Sequence, residues 1–358
     1  PTVPCVITMS IAVPSKKSVA KAGDVLRSAD PSSQEYAQAL NVLAAWRSLY
    51  AYPLNAFNVL LRSNCVALGL QKGNYIVARR LKRAPSIVAK LKRFAGMNLS
   101  RMQDIGGLRV ILNSVDEVRA LHSRLMSSQM GHAPVEPFHD YILEPKDDGY
   151  RSIHQVFRYR SEAHDELTSL GLKIEVQIRT RIQHSWATAV EALGVIEKSA
   201  FKSGEGENDF KRFFILSSAL LSILEGQPLI KELRDSSPLE IVKEFEDLQD
   251  KLSVFLKLES IVVSVDQMGA RNSGYCVMEL DASTRKLSLW NFRSNQVEMA
   301  ETFYKFRELE NRTNDEIEVV LVSVNSLRQV QRAYPNYFLD CKDFIENLKE
   351  VCQRIKKQ

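Results

Sequence analysis

The sequence predicts helices packed around small sheets, an α/β or α+β arrangement in two successive units. Three observations carry this. From Ser15 to about Met97, and again over Phe210–Leu224 and Leu239–Leu258, apolar residues recur at helical spacing. Between them lie short apolar runs of strand length, Leu108–Leu112, Ile153–Tyr159 and Leu172–Ile178. From Ile261 the pattern changes to three strands, Ile261–Val265, Tyr275–Leu280 and Leu287–Phe292, with turn-like breaks.

Taken in order, Pro31, Pro53 and Gly73 divide the first helical region, and Gly106-Gly107 introduces the first strand. Val115–Met130 is helical, with Val118, Leu121 and Leu125 on one face. A loop with several Pro and Asp follows, ending at Gly149, and Ile182–Leu193 is a helix. Beyond the polar loop Ser203–Asn208 and the second helical region, Ala300–Glu310 is a helix, Ile317–Val324 a strand and Phe344–Lys356 a terminal helix. A boundary near Leu256 gives units 9–255 and 256–358, with Met9 read as the native start.

At 358 residues, 45% hydrophobic and 25% charged, the chain can bury two cores, and collagen-like or wholly disordered chains are excluded. No stretch approaches the ~18 apolar residues of a membrane span. The run Cys5–Val13 lacks the basic flank of a signal peptide. Cys5, Cys65, Cys276, Cys341 and Cys352 show no C-x-x-C spacing, which points away from zinc and disulfides and toward a reduced, cytoplasmic setting.

Net charge is +5, and the segment from Leu256 carries 15 basic and 15 acidic residues, so the excess lies upstream. No Asp or Glu occurs between Glu35 and Asp104, an interval that holds Arg47, Arg62, Arg79 and Arg101 among its cations. Such a one-sign interval points to a polyanion, nucleotide phosphates or RNA. A solvated basic surface is the plainer alternative.

Within the interval, Arg80-Leu81-Lys82-Arg83-Ala84-Pro85-Ser86 leads into a helix, with Lys90 one turn beyond Ser86. Pro85 suits an early helical position, and Ser86 can cap amides or donate to a phosphate oxygen. A helix N-terminus flanked by cations is suited to phosphate. In Lys173–Arg179, Glu175, Gln177 and Arg179 share the face opposite Ile174, Val176 and Ile178. Asp104 and Glu175 beside phosphate-binding cations suit magnesium, which takes oxygen ligands from protein and phosphate together. Singly, Asp104 also suits a turn, and the Glu175 face a solvent-exposed sheet.

The elements R-x-K-x-x-x-S-I-x-x-K, D-I-x-G-x-R, P-K-x-x-G-Y-R-S-I-H and E-V-Q-I-R-T follow one another within Ile76–Glu191. This segment resembles the synthetase domain of the RelA/SpoT family, which transfers pyrophosphate from ATP to a ribose 3′-hydroxyl. The resemblance implies an α+β fold: a nucleotidyltransferase-like unit with a mixed sheet and surrounding helices, then a smaller α/β unit. It implies that Arg80 and Arg109 sandwich the adenine of ATP, while Lys82, Ser86 and Lys90 hold its phosphates. Asp104 and Glu175 would be the catalytic magnesium ligands, with Glu175 helping to deprotonate the attacking hydroxyl. Tyr150 would stack on the acceptor base, with Lys146 and His154 near the acceptor phosphates and Gln177 and Arg179 in support. His184 and Trp186 fit packing roles. Asp148 departs from the Asn of many relatives, which puts acceptor phosphate preference in doubt. The dipeptides His139-Asp140 and His164-Asp165 read as loop coincidences rather than a hydrolase motif, and no hydrolase domain is expected.

In the second unit, Tyr334-Pro335-Asn336-Tyr337-Phe338 reads on composition as local packing. A synthetase followed by an appendage with Tyr-x-x-Tyr also resembles the CapRel type of fused toxin–antitoxin. That resemblance implies transfer to the 3′-CCA end of tRNA, arrest of translation in anti-phage defence, masking of the ATP site by Tyr334 and Tyr337, and release by a phage capsid protein. The alternatives are an alarmone synthetase acting on GDP or GTP and a degenerate nucleotide- or RNA-binding regulator.

Overall fold

The computed structural model describes residues 13–127, 131–196, 207–259, 264–269, 274–281, 283–284, 286–311, 314, 317–324 and 341–357. Tyr334 and Tyr337 lie outside the described residues.

Helices α1 (Lys16–Ser28), α2 (Gln34–Ser48) and α3 (Ala51–Ala67) come first. Ser15 and Ser33 cap the first two by accepting the N–H groups of Ser18 and Tyr36. Pro53 does not break a helix: it sits in the first turn of α3, where no intrahelical partner awaits its missing N–H. The helical expectation up to Met97 is corrected at strand β1 (Ile76–Leu81). Then follow α4 (Ala84–Arg93), β2 (Gly106–Leu112), α5 (Val115–Ser127), β3 (Ala133–Asp140), β4 (Ile153–Arg158), α6 (Asp165–Leu170), β5 (Lys173–Thr180) and α7 (Arg181–Ile196). Strand β3 occupies the Pro-rich stretch read as a loop. It is an edge strand, and a register shift between Val135 and His139 accommodates Pro137. His139-Asp140 is therefore strand, and Asp140 pairs with Arg119.

These five strands form a mixed sheet in the order β1-β2-β5-β4-β3, with only β2 and β5 parallel. One face is buried: Val77, Val110, Val176 and Ile178 join Leu43, Trp46 and Phe57 of the N-terminal helices in a single core.

Beyond it lie α8 (Glu207–Leu224), α9 (Pro238–Leu252) and α10 (Val254–Glu259). The single helix expected over Leu239–Leu258 is interrupted at Ser253, whose φ of 51° makes a left-handed cap. The second sheet comprises β6 (Ser264–Gly269), β7 (Gly274–Asp281), β8 (Lys286–Arg293) and, after α11 (Val297–Glu310), β9 (Ile317–Val324), in the order β6-β8-β7-β9. Helix α12 (Lys342–Lys356) follows. The α+β class is thus observed, a mixed sheet with surrounding helices and a further C-terminal α/β region.

Apolar contacts join that region to the rest of the chain. Cys276, Met278, Leu289 and Val320 pack on Ile76, Ala78 and Ile111. Helix α12 returns to insert Phe344, Leu348 and Val351 beside Trp186, Phe213, Phe214 and Phe245 of α7–α9. Among the described residues, no helix is long and apolar enough to cross a membrane.

Candidate active site

Strand register assembles the site, because directly paired residues share a face. Arg80, Gly107 and Glu175 form one row across β1, β2 and β5. Arg109, Gln177 and His154 form the next row, across β2, β5 and β4, about 7 Å along the strands. Both rows lie on the face away from the N-terminal helical core, the face on which Ile76, Ala78 and Ile111 meet the second sheet. Gly106 points the other way, and a Cβ there would stand 2.4 Å from the Tyr50 ring, so only glycine lets β2 run this close to Tyr50.

Asp104, in the turn before β2, is held by two lysines. Its Oδ2 accepts from Lys82 Nζ at 2.9 Å and Lys90 Nζ at 2.8 Å, which joins the end of β1 to the second turn of α4. Burial pushes the Asp104 carboxyl up, but the two ammonium groups outweigh it and hold the group below its ordinary range. Its other oxygen, Oδ1, is buried without a hydrogen-bond partner. An orphaned, ionised oxygen is costly unless a cation or donor completes it. Glu175 is near enough for the Asp104 charge to oppose its ionisation. Two hard oxygen donors with one orphaned atom fit magnesium, with phosphate and water oxygens completing its shell.

A hydrogen-bonded chain fixes Glu175. Its Oε1 accepts from His154 Nδ1 at 3.1 Å and its Oε2 from Gln177 Nε2 at 2.8 Å. A carboxylate only accepts, so His154 donates from Nδ1, and its Nε2 lies 2.9 Å from the Tyr150 hydroxyl within hydrogen-bond reach. Burial raises the Glu175 carboxyl, but these bonds prevail and keep it below its ordinary value. Tyr150→Phe keeps the ring and deletes one link of this chain. A fall in transfer rate on the order of tenfold is expected, with unchanged ATP affinity, measured by single-turnover kinetics and ATP titration.

Asp148 Oδ1 accepts the Tyr150 N–H at 2.9 Å, so the departure at this position shapes the turn that presents Tyr150. Lys146 Nζ lies 4.9 Å from the Tyr150 ring centre. Arg179 is only 2% exposed, and burial together with the Arg109 charge lowers its pKa to about 9. The Nε atoms of both arginines are buried without a partner. His184 was expected only to pack, yet its Nδ1 contacts Arg179 Nη2. Trp186 is buried, donating to the Phe214 carbonyl at 2.9 Å.

Helix α4 begins at Ala84 without a side-chain cap from its own N-cap residue. Arg83, Ser86, Ala89, Glu308 and Asn311 line a cavity of about 240 Å³ beside it. Glu308, from α11, accepts the Ala84 N–H at 3.4 Å and pairs with Arg47 Nη1 at 2.6 Å. Arg47 also donates to the Tyr304 hydroxyl at 2.8 Å and the Lys82 carbonyl at 2.9 Å. Sequence reasoning assigned no role to Arg47, Tyr304 or Glu308. The one signal was Arg47 itself, a cation in the acid-free interval.

Residues 79–204 match the family described as "Region found in RelA / SpoT proteins". The chain is 34% identical over 122 residues to the GTP pyrophosphokinase YjbM of Bacillus subtilis (strain 168), a match covering 33% of this chain and 54% of that protein. It is 31% identical over 125 residues to a GTP pyrophosphokinase of Haemophilus influenzae, covering 35% of this chain and 15% of that protein. The chain therefore spans about half, or less, of the length of these relatives. Among solved structures, small alarmone synthetase 1 from Bacillus subtilis aligns at 23% identity over 59% of this chain and 97% of that chain, with a TM-score of 0.43. The structure of small alarmone synthetase 1 from Bacillus subtilis bound to its product pppGpp aligns at 27% identity over 50% and 90%, with a TM-score of 0.41.

Proposed function

We propose that this chain is a magnesium-dependent pyrophosphotransferase of the RelA/SpoT type that moves the β,γ-pyrophosphate of ATP to a ribose 3′-hydroxyl. The observation that carries the reading is the Asp104 carboxylate, held by Lys82 and Lys90 in the field of Glu175 with one oxygen unpartnered. Bound magnesium would neutralise charge on the transferring phosphates. Arg80 and Arg109 would hold adenine between their guanidinium planes. Lys82, Ser86 and Lys90 would orient the phosphates, and Tyr150, with Lys146 and His154, the acceptor nucleotide. Glu175, kept ionised by His154 and Gln177, would accept the hydroxyl proton as AMP departs.

The acceptor we favour is the 3′-CCA end of tRNA, in the cytoplasm, with 9–255 as a toxic unit and 256–358 as its restraint. Tyr334 and Tyr337 would then occupy the place of adenine until a phage capsid protein draws the restraint away. Supporting this is the second sheet's position on Ile76, Ala78 and Ile111, the face that also carries Arg80 and Arg109. Synthesis of an alarmone from GDP or GTP is the second reading, and the names of the GTP pyrophosphokinase relatives favour it.

The test uses the full chain and its Tyr334→Ala/Tyr337→Ala variant, each given γ-labelled ATP, magnesium and either deacylated tRNA, GDP or GTP. Label on tRNA from the variant alone is the expected result. Label on GDP or GTP from the unaltered chain would assign alarmone synthesis, and no label from either chain would leave a degenerate regulator.

A further inference from the structure

Beyond the Arg80–Gly107–Glu175 row, the same face carries cations that no step above uses. Lys173 precedes Glu175 by two residues on β5, so it points the same way, about 7 Å farther along. Its direct partner across the β4–β5 ladder is Arg158. Like charges placed opposite each other on neighbouring strands destabilise a sheet. Arg101 lies in the short turn Leu99–Arg101, three residues before Asp104. None of the three side chains is paired with an acid among the described residues. Lys16 adds a fourth cation at this end, where its Nζ and Arg158 Cδ both lie within 4 Å of the Gly171 Cβ position.

We propose that Arg101, Arg158 and Lys173 form a binding track for the ribose-phosphate backbone of a polynucleotide acceptor, engaging nucleotides beyond the one whose 3′-hydroxyl reacts. The inference rests on the pyrophosphotransferase reading and deepens its acceptor class. A single nucleotide is accommodated by Tyr150, Lys146 and His154, on the opposite side of Glu175 along the strands. A row of uncompensated cations past Glu175 matches an acceptor whose negative charge continues. Such contacts add affinity and salt dependence without reading sequence.

The experiment compares the full chain with Arg101→Gln/Arg158→Gln/Lys173→Gln, titrating each with fluorescently labelled deacylated tRNA by anisotropy across a sodium chloride series. The variant's slope of log affinity against log salt should be shallower by about 2–3, with affinity at least tenfold weaker near ~0.1 M salt. ATP binding and the melting temperature should match those of the unaltered chain. The charge-conserving Arg101→Lys/Arg158→Lys/Lys173→Arg chain should restore the slope. Identical slopes and affinities in the Gln variant and the unaltered chain would overturn the track alone. Loss of GDP or GTP binding equal to the loss of tRNA binding would reassign these cations to a mononucleotide's phosphates and also overturn it. An unaltered chain that binds no tRNA would overturn the acceptor reading, and the track with it.

Discussion

Asp104→Asn is expected to reduce pyrophosphate transfer by ~10³-fold or more while the chain remains folded. The substitution keeps the size of the side chain and removes the charge to which Lys82 and Lys90 are bound. It also replaces one potential metal-binding oxygen by an amide. Glu175→Gln should have a similar effect on transfer, and either variant retaining activity would reject the shared metal site. Stability supplies a second readout. The folded-state Asp104 carboxyl titrates below its ordinary value, so its contribution is complete above that ordinary value and is lost as pH falls through the lower folded value. The Asn variant should therefore be less stable by about 1–3 kcal/mol near neutrality. That difference should hold down to roughly pH 5 and shrink in stronger acid. A difference that grew with acidity would contradict the lysine-clamped carboxylate.

Arg47→Ala is expected to destabilise the chain by about 3–5 kcal/mol, the typical cost of leaving one member of a buried ion pair alone. Arg47 is 4% exposed, and its guanidinium is shared among Glu308, Tyr304 and the Lys82 carbonyl. Removing it leaves the half-buried Glu308 carboxylate without its cation and frees the Lys82 carbonyl. Urea denaturation of Arg47→Ala, Glu308→Ala and the double variant would form a thermodynamic cycle. Single-variant losses that far exceed the double-variant increment would place the coupling in this pair. A loss under about 1 kcal/mol for Arg47→Ala would show that the pair is as weak as a surface contact.

The motifs made most of the candidate site legible because its residues lie close together in the chain or on one strand face. Lys82, Lys90 and Asp104 fall within one β–α–turn segment, and the alternation of β5 places Glu175 with Gln177. Strand β1 was hidden because both of its faces are covered: Ile76, Val77, Ala78 and Arg79 are all buried, so no polar–apolar alternation shows. In β3 the prolines obscured an edge strand that tolerates them. The acid-free interval suggested an external polyanion, yet some of its cations have internal partners. Arg47 finds a carboxylate 261 residues away, and Arg79 lies over the Tyr275 ring. Partners so distant in the chain leave no periodic or local trace, and only tertiary packing shows them.

The return of α12 to the helical core has a consequence for the order in which the protein can finish folding. A chain leaving the ribosome folds from its N-terminus as it emerges. Trp186, Phe213 and Phe214 are made early, but Phe344, Leu348 and Val351, which pack beside them, follow the whole second sheet. Tyr150 rests against that same core. A nascent chain therefore cannot complete the core behind Tyr150 until β6–β9 have already been translated. Synthesis itself delivers the second sheet before this helical core is whole, so a translation product that stops short of α12 lacks part of the core against which Tyr150 rests.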